Sequence, residues 1–366
     1  MQIKSLAATN FKNIADARLE FSSKANCFLG DNGMGKSNLL DAVYYLSFCK
    51  SFSGLPDNAV VKLGEEFMTL RGTYLRRGTD EEVTVGLQPG RRKSVRRGGK
   101  EYDRLSSHIG VFPLVMVSPS DQELVGGSGE ERRRFMDQVI SQADALYLDH
   151  LIRYERALTQ RNKMLRDHVV DHHLYEAVEL TLARSASYIT RARLRWVGEL
   201  TEIFRPIYAA IAADGEVPVL ELKGHLAADP EGLPEQLDQC RRHDEIVGHT
   251  SVGPHRDDLA LWLNQLPVRR AASQGQCKSY TVALRLAQWT FLERVAGFKP
   301  LLLLDDIFDK LDARRVERLM EMVSGDRFGQ IFITDTNRGH LDAIMERAGG
   351  DHRSWLVENG TFTPNR

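Results

Sequence analysis

Gly30-Asp31-Asn32-Gly33-Met34-Gly35-Lys36-Ser37 fits the phosphate-binding pattern of two glycines with four residues between them, followed by Lys and Ser. Residues 25–29 ahead of it read as a short buried strand, and residues 38–46 behind it keep apolar residues at helical spacing. The glycines would let backbone N–H groups close around phosphates, and the helix start adds the positive end of its dipole. Such a match arises by accident in roughly one random chain in a hundred of this length, so a Gly-rich turn without function is the weaker interpretation.

This stretch predicts a set of nucleotide contacts. Lys36 is expected to neutralise the β- and γ-phosphate oxygens, and Ser37 to ligate Mg²⁺. Lys12, in a predicted turn over residues 10–14, can reach back toward the nucleotide, although a turn lysine is usually only solvated. The predicted nucleotide-binding residues are Lys12, Gly30, Asp31, Asn32, Gly33, Met34, Gly35, Lys36, Ser37 and Asn38.

Composition limits the classes of protein to which the chain can belong. Its 366 residues, 42% of them hydrophobic, suffice for two domains with separate cores. The net charge of -1 requires any nucleic-acid binding to come from local basic patches. Four cysteines without metal-ligand spacing suit a reduced compartment, and no run reaches the roughly 18 apolar residues of a membrane span. We therefore expect a cytoplasmic chain with no membrane partner.

The first part of the chain reads as antiparallel strands, because residues 1–30, 67–75 and 82–88 alternate apolar and polar side chains. Between residues 90 and 100, six cations lie in a glycine-bounded loop or hairpin tip. Such a patch can neutralise DNA phosphates, and a solvated turn is an equally good interpretation. The predicted DNA-binding residues are Arg91, Arg92, Lys93, Arg96 and Arg97.

The middle of the chain predicts helices. Apolar residues recur along residues 151–165 and again along 174–196, which indicates an antiparallel pair forming a short arm. Three arginines at 132–134, near a helix start, predict a local anion, either a carboxylate or a phosphate. Histidines at 168, 172 and 173 lie at the turn of the arm and read as exposed polar residues rather than metal ligands.

Two further stretches carry chemistry. Residues 253–258, Gly-Pro-His-Arg-Asp-Asp, are compatible with a metal site, an ion-paired turn or an interface contact. Residues 300–304 read as a strand buried on both faces, ending in Asp305 and Asp306 beside the phosphate loop. Asp305 is placed to hold Mg²⁺ with Ser37, and Asp306 to orient or deprotonate an attacking water.

Taken with residues 273–276, Ser-Gln-Gly-Gln, and 308–312, Phe-Asp-Lys-Leu-Asp, these motifs resemble the ABC-type ATPases of chromosome maintenance. Within them the chain is most similar to the RecF family of bacterial recombination mediators. The resemblance runs nearly end to end and includes residues 10–13, 30–37, 132–135 and 253–258.

The resemblance implies an α/β fold, with an ABC-type ATPase head of mixed sheet and antiparallel β-subdomain over residues 1–125 and 250–366, and a helical arm over 126–249. It implies a homodimer that sandwiches two ATP molecules, each held by the phosphate loop of one chain and the signature of the other. Hydrolysis then opens the dimer. The implied catalytic residues are Lys36, Asp305, Asp306, Ser273, Gly275 and Gln276.

For activity, the resemblance implies a weak DNA-stimulated ATPase using ATP and Mg²⁺, acting in replication-coupled repair and the SOS response. The implied partners are double- and single-stranded DNA at gaps, RecR with RecO and, indirectly, RecA, in a cytoplasmic, nucleoid-associated setting. The alternatives are a DNA end-processing ATPase that works with a nuclease, a transporter nucleotide-binding subunit, and a DNA scaffold that binds ATP without turnover.

Three features depart from most ABC-type ATPases. Asp306 stands where most carry Glu, although RecF-like proteins share this feature, and residues 334–337 contain no histidine at the switch position, with His340 further along. The third feature is the glutamine loop, which has no clear equivalent in the sequence; Asp121 and Gln122 are the candidates for it.

Overall fold

The computed structural model describes residues 1–212, 215–309, 311–325, 327–348 and 351–365. Lys310, within the resemblance motif at 308–312, lies outside the described residues. The strands are β1 (Gln2–Phe11), β2 (Ile14–Glu20), β3 (Ala25–Leu29), β4 (Met68–Arg76), β5 (Thr79–Leu87), β6 (Ser94–Arg97), β7 (Lys100–Glu101), β8 (Leu114–Val117), β9 (Pro218–Lys223), β10 (Asp258–Leu263), β11 (Leu266–Pro267), β12 (Leu301–Asp305), β13 (Ile331–Asp335), β14 (His352–Glu358) and β15 (Thr361–Pro364).

The helices are α1 (Lys36–Phe48), α2 (Asp57–Val60), α3 (Gln122–Gly126), α4 (Gly129–Ala143), α5 (Ala145–Arg166), α6 (His172–Ile211), α7 (Leu233–Val247), α8 (Val268–Ala271), α9 (Gln274–Ala296), α10 (Ala313–Ser324) and α11 (Arg338–Ala348). Short 3₁₀ turns cover Leu105–His108, Pro119–Asp121 and Pro254–Arg256.

The chain divides into two compact units, each assembled from separated pieces of sequence. Unit 1 contains Met1–Asp121, Ala210–Ala212 and Gln274–Arg366. Unit 2 contains Gln122–Ala209 and Ala213–Ser273. Residues 122–125 and 250–273, expected in the ATPase head, therefore lie in unit 2, and residues 210–212, expected in the helical arm, lie in unit 1.

Unit 1 contains two six-stranded sheets. The first has the order β2-β1-β4-β5-β6-β7 and is antiparallel throughout, as the alternating patterns predict. The second has the order β15-β14-β3-β13-β12-β8 and is parallel except for the β14–β15 hairpin. This combination is the predicted mixed architecture, with an antiparallel subdomain beside a mostly parallel sheet.

The inner strands β3, β13 and β12 of this sheet, and β8 at its edge, are buried along nearly their whole length. β12 is buried along its whole length between β13 and β8, which suits its run of four leucines because a central parallel strand is covered on both sides. Residues 278–292 of α9 are buried as well. Gln330 ties the two sheets together, since its side-chain amide donates to the Ile3 carbonyl and accepts from the Ile3 N–H.

Unit 2 contains α3 to α5, α7, α8, nearly all of α6 and the antiparallel sheet β11-β10-β9. The predicted helix pair is confirmed: Arg161 of α5 binds Glu179 of α6 at 2.9 Å, and His150 stacks on Tyr188 with ring centroids 4.4 Å apart. α6 is longer than the predicted 174–196 and spans 40 residues, or about 60 Å, with Pro206 inside it. Phe204, Ile207 and Tyr208, which flank this proline, are buried, and their packing offsets the helix-breaking effect of proline.

Among the described residues, no helix is both long enough and apolar enough to cross a membrane. All four cysteines are free thiols, and Cys27 and Cys49 are buried.

Candidate active site

The phosphate loop follows β3, which lies between β14 and β13 in the parallel sheet. Its glycines have backbone roles. Gly33 and Gly35 have φ of +82° and +109°, which disfavours other residues. A Cβ on Gly35 would lie 2.6 Å from the Asn13 side-chain amide, and one on Gly30 would lie 2.5 Å from the Val357 carbonyl oxygen. The loop is therefore packed closely against Asn13 and Val357, and α1 begins directly after it at Lys36.

Lys36 is the first residue of α1 and is 6% exposed. Its Nζ donates to the carbonyl oxygens of Gly30 at 2.6 Å and Asp31 at 2.9 Å, so the ammonium lies back against its own loop. Burial lowers the pKa of Lys36, and the charges of Asp306, Asp305, Asp335 and Asp31 oppose that shift, in this order of size. These carboxylates favour the positive charge at the loop.

Ser37 and Asp305 meet as predicted. The Ser37 Oγ donates to Asp305 Oδ1 at 2.9 Å, and Thr334 Oγ1 donates to the same oxygen at 2.6 Å. The register explains this meeting, since Asp305 and Thr334 are partners on the parallel strands β12 and β13. Parallel strands bring their carboxyl ends to one edge, where α1 also begins.

This pair has the chemistry that Mg²⁺ requires, because a hydroxyl and a buried carboxylate are both hard oxygen ligands. In the parts of the chain that the structure describes, no group of three or more His, Cys, Asp or Glu side chains is arranged for a metal ion. Mg²⁺ commonly takes one or two protein ligands and completes its shell with phosphate and water.

Asp306 adopts a left-handed backbone conformation with φ of +48°. Its N–H lies 3.1 Å from Thr334 Oγ1 and 3.2 Å from the Thr334 carbonyl, which holds the turn after β12. Burial, followed by the charges of Asp335, Asp309 and Asp305, raises the pKa of Asp306, while Lys36 lowers it. The positive φ also gives a physical reason for Asp rather than Glu, since Asp tolerates this conformation better than longer side chains.

A His–Asp pair lies at the end of the neighbouring strand. His340 Nδ1 is 2.8 Å from Asp335 Oδ2, Asp335 Oδ1 accepts the Asn337 N–H, and the His340 ring packs against Phe308. Residues 334–337 contain no histidine, but His340, in the first turn of α11, contacts Asp335 at the end of β13. The signal in the sequence was a histidine five residues after the last residue of a buried strand.

A cleft of about 180 Å³ opens over these groups. The residues that line it, all in unit 1, are Asn32, Gly33, Gly35, Lys36, Ser37, Asn38, Pro119, Asp305 and Asp306. The structure thus brings together most of the predicted loop, the predicted metal ligands and the predicted base, while Gly30, Asp31 and Met34 of the loop do not line the cleft. These glycines, the buried lysine and the oxygen pair suit a nucleoside triphosphate with Mg²⁺.

Lys12 is held in an ion pair within unit 1 and is not among the residues that line the cleft. Its Nζ lies 2.6 Å from Asp41 Oδ2 of α1 and 3.2 Å from Ser53 Oγ. The next residue, Asn13, contacts the phosphate loop instead.

The two glutamine-loop candidates also differ from each other. Asp121 is buried, and its carboxylate accepts from Arg285 at 2.6 Å and from the Ser118 N–H at 2.9 Å. That ion pair shapes the turn that places Pro119 at the cleft. Gln122 is exposed at the start of α3.

The signature residues lie at the start of α9. Ser273 and Gln274 are exposed, and Gly275 and Gln276 are partly exposed. A Cβ on Gly275 would collide with the Arg315 guanidinium, so the glycine allows this arginine to lie against the helix start. Within unit 1, residues 274–276 are not among those that line the cleft.

The predicted DNA patch forms the β6–β7 hairpin and the loop before it. Arg91, Arg92 and Arg96 are exposed. Lys93 instead binds both Asp57 carboxylate oxygens at 2.7 and 2.9 Å, and Arg97 binds Glu81 at 2.6 Å. The exposed Arg92 donates to the Asp103 carbonyl at 3.1 Å, and the exposed Arg96 lies 3.7 Å from Glu101, so these two arginines have weaker partners within unit 1 than Lys93 and Arg97.

In unit 2, residues 253–258 form an ion-paired turn, one of the three predicted alternatives. Asp257 binds the buried Arg193 at 2.8 Å, and Asp258 makes a two-point contact with Arg132 at 2.7 and 2.9 Å. The anion expected beside residues 132–134 is therefore a carboxylate. His255 is held by Tyr154 and by the Thr250 carbonyl, and burial lowers its pKa to about 4.

Comparison with known proteins places this site in a family. The family described as "AAA ATPase domain" matches residues 1–83. The "DNA replication and repair protein RecF" of Bacteroides fragilis is 47% identical over 364 residues, covering 99% of this chain and 98% of that protein. The protein of the same description from Phocaeicola vulgatus is 47% identical over 369 residues, covering 100% of this chain and 99% of its own.

Solved structures agree with this assignment. The structure of "the recombination mediator protein RecF-ATP in RecFOR pathway" has a TM-score of 0.87 at 27% identity, covering 100% of this chain and 99% of that one. The Smc head domain of Pyrococcus furiosus, at 15% identity and a TM-score of 0.58, covers 99% of this chain and 95% of that one and shares the fold. The predicted ABC-type head is thus confirmed. Its sequence, its fold and the arrangement of its phosphate loop all agree that the chain belongs to the RecF family of DNA replication and repair proteins.

Proposed function

We propose that this chain hydrolyses ATP slowly, dimerises in the ATP-bound state and binds DNA in that state. One observation carries the proposal: Lys36, Ser37, Asp305 and Asp306 line a single cleft at the carboxyl edge of the parallel sheet. When bound there, Mg²⁺–ATP would supply the phosphates and the metal charge, with Ser37 and Asp305 as the metal ligands. Lys36 would contact the phosphates, and Asp306 would orient or deprotonate the attacking water.

The signature supports a dimer. Residues 274–276 do not line the cleft of unit 1, whereas an exposed helix start with partly exposed Gly275 offers backbone N–H groups to an anion. A second copy would supply that anion as the γ-phosphate of its own ATP, with Ser273, Gly275 and Gln276 as the contacts. Because ADP lacks this phosphate, hydrolysis would release the two copies.

We propose that DNA is recognised through its backbone, with Arg91, Arg92 and Arg96 among the contacts. The RecF proteins to which this chain is similar are described with DNA replication and repair and with the RecFOR pathway. We extend that role to this chain: it would bind gapped DNA or junctions of single and double strands, act with RecR and RecO, and help load RecA at the nucleoid in the cytoplasm. DNA would stimulate the ATPase.

The dimer is tested by light scattering of the protein with Mg²⁺–ATP and with Mg²⁺–ADP. We expect the mass of a dimer with ATP only, and a monomer for Ser273→Arg under both conditions, because a large cation at the signature blocks close approach of two copies. Ser107→Arg, the same change at an exposed serine away from the signature, should still dimerise. A monomer in every condition would contradict the sandwich.

The DNA surface is tested with the triple change Arg91→Ala, Arg92→Ala and Arg96→Ala. If each arginine neutralises one phosphate, the slope of log affinity against log salt for duplex DNA falls in magnitude by about 2.7, at roughly 0.9 per contact. Fluorescence anisotropy with labelled gapped duplex at several salt concentrations gives the slope. The ATP-dependent dimer mass of the variant controls for folding, and an unchanged slope would make this patch a solvated turn.

A further inference from the structure

The last hairpin of the chain turns beside the phosphate loop. β14 pairs in parallel with β3, with Leu356 opposite Leu29, so both strands end at the same edge of the sheet. The phosphate loop leaves that edge at Gly30, and the two-residue turn of the β14–β15 hairpin, Asn359-Gly360, lies next to it. The close approach of Gly30 to the Val357 carbonyl shows how tightly the two segments pack.

One carbonyl of the loop is held from two sides. The Gly360 N–H donates to the Met34 carbonyl oxygen at 2.8 Å, and Asn13 Nδ2 reaches the same oxygen at 3.4 Å. Asn13 Oδ1 in turn accepts from Asn38 Nδ2 of α1 at 2.8 Å. The turn and Asn13 are also in direct contact, because a Cβ on Gly360 would lie 2.5 Å from the Asn13 carbonyl oxygen.

The held carbonyl lies where the loop has the greatest freedom. Met34 stands between Gly33 and Gly35, both at positive φ, and glycines restrict the backbone least. In a trans peptide the carbonyl and the next N–H point in opposite directions. Holding the Met34 oxygen toward Gly360 therefore directs the Gly35 N–H away from Gly360, and Gly35 lines the cleft.

We propose that Asn13 and Gly360 are positioning residues that fix the Met34–Gly35 peptide in the orientation that binds phosphate. We call these two residues the loop brace. Among the described residues that line the cleft, neither appears, so they act through the loop rather than on the nucleotide. The inference rests on the proposed binding of ATP by this loop, and it gives the C-terminal hairpin a role in nucleotide affinity.

The chain offers a matched control for testing this role. Arg77-Gly78 forms the two-residue turn of the β4–β5 hairpin, with φ of +51° and +80°, and Asn359-Gly360 has φ of +48° and +76°. A Cβ on Gly78 meets nothing within 4 Å, whereas a Cβ on Gly360 meets the Asn13 carbonyl. Gly78→Ala therefore carries the same backbone strain without touching the brace.

The experiment measures the ATP dissociation constant by calorimetry for wild type, Gly360→Ala and Gly78→Ala, together with their melting temperatures. We expect Gly360→Ala to weaken ATP binding at least about tenfold, because small displacements of a binding loop are costly, and Gly78→Ala to bind as wild type. Equal affinity in all three proteins would overturn the proposal. Equal weakening in both variants would also overturn it, since the cause would then be general destabilisation.

A second variant keeps the test decisive if Gly360→Ala does not fold. Asn13→Ala removes the side-chain bonds to Met34 and Asn38, and Asn58→Ala, at an exposed asparagine of α2, is its control. We expect faster amide hydrogen exchange over residues 30–37 in nucleotide-free Asn13→Ala than in Asn58→Ala. Equal exchange would overturn the brace. Failure of the wild type to bind ATP would instead overturn the proposed function. The two failures are distinguishable because the exchange experiment contains no nucleotide and therefore tests the brace independently of ATP binding.

Discussion

Asp306→Asn is expected to lower ATP turnover at saturating ATP by about a thousandfold, within the usual range for loss of a general base. The amide cannot take a proton from water, while its size is that of the carboxylate. Asn also tolerates a left-handed backbone, so the φ of +48° at this position imposes no new strain. The fold and the bond from the residue 306 N–H to Thr334 should survive the change.

ATP affinity separates this role from a binding role. Since Lys36, Ser37 and Asp305 remain, the dissociation constant for ATP should stay within about threefold of the wild-type value. Removing a negative charge from beside the phosphates acts in the direction of tighter binding. The measurement combines single-turnover phosphate release with calorimetry, and loss of ATP binding in a folded Asp306→Asn protein would show that its role is not catalytic.

Two control variants test this prediction, one for the change in charge and one for the presence of the base. Asp309→Asn makes the same change in charge at an exposed neighbour whose charge also raises the pKa of Asp306, and it should retain most of the turnover. Asp306→Glu keeps the base and adds one methylene of reach. Because a longer side chain is disfavoured at positive φ, we expect this variant to be less stable but measurably active.

Lys36→Ala is expected to weaken ATP binding about a hundredfold, because a charge-assisted contact contributes up to roughly 3 kcal/mol. A further effect acts in the same direction. Asp305, Asp306 and Asp335 lie close enough to influence the Lys36 pKa, and without the ammonium their charges would repel the phosphates. Phosphate release should fall to the background rate.

Equilibrium dialysis with ATP measures this loss, and Lys100→Ala, at an exposed lysine of β7, is the matched control. The melting temperature of the nucleotide-free protein shows whether the loop survives without the Lys36 bonds to Gly30 and Asp31. Wild-type affinity in Lys36→Ala would contradict the assignment of the loop. Equal phosphate release from both variants and the wild type would indicate a contaminating ATPase.

The sequence by itself determined the strands and the chemistry of the site. Four leucines followed by two aspartates predict a strand buried on both faces with carboxylates at its end, because burial on both sides requires a continuous apolar run. The loop pattern at 30–37 and the pair Ser37 and Asp305 followed from local spacing and from the rule that parallel strands share a carboxyl edge. The structure brings these predicted groups into one cleft.

Only the tertiary structure decided which charged residues are engaged within the fold. Lys12, Lys93 and Arg97 are as basic in sequence as Arg91, but they form ion pairs with Asp41, Asp57 and Glu81, which are 29, 36 and 16 residues away. The same holds for Asp258 with Arg132, which are 126 residues apart. Hydropathy and spacing report local periodicity, whereas an ion pair depends on the path of the whole chain.

The loop brace shows the same division. Asn13 and Gly360 stand at opposite ends of the sequence and both contact Met34. Gly360 reaches it because β14 adds to the sheet beside β3, and Asn13 reaches it from the turn between β1 and β2. Strand order is set by packing of the finished sheet, and a single sequence does not state it. Local patterns therefore determined the chemistry of the candidate site, and long-range pairing decided which residues hold its groups in place.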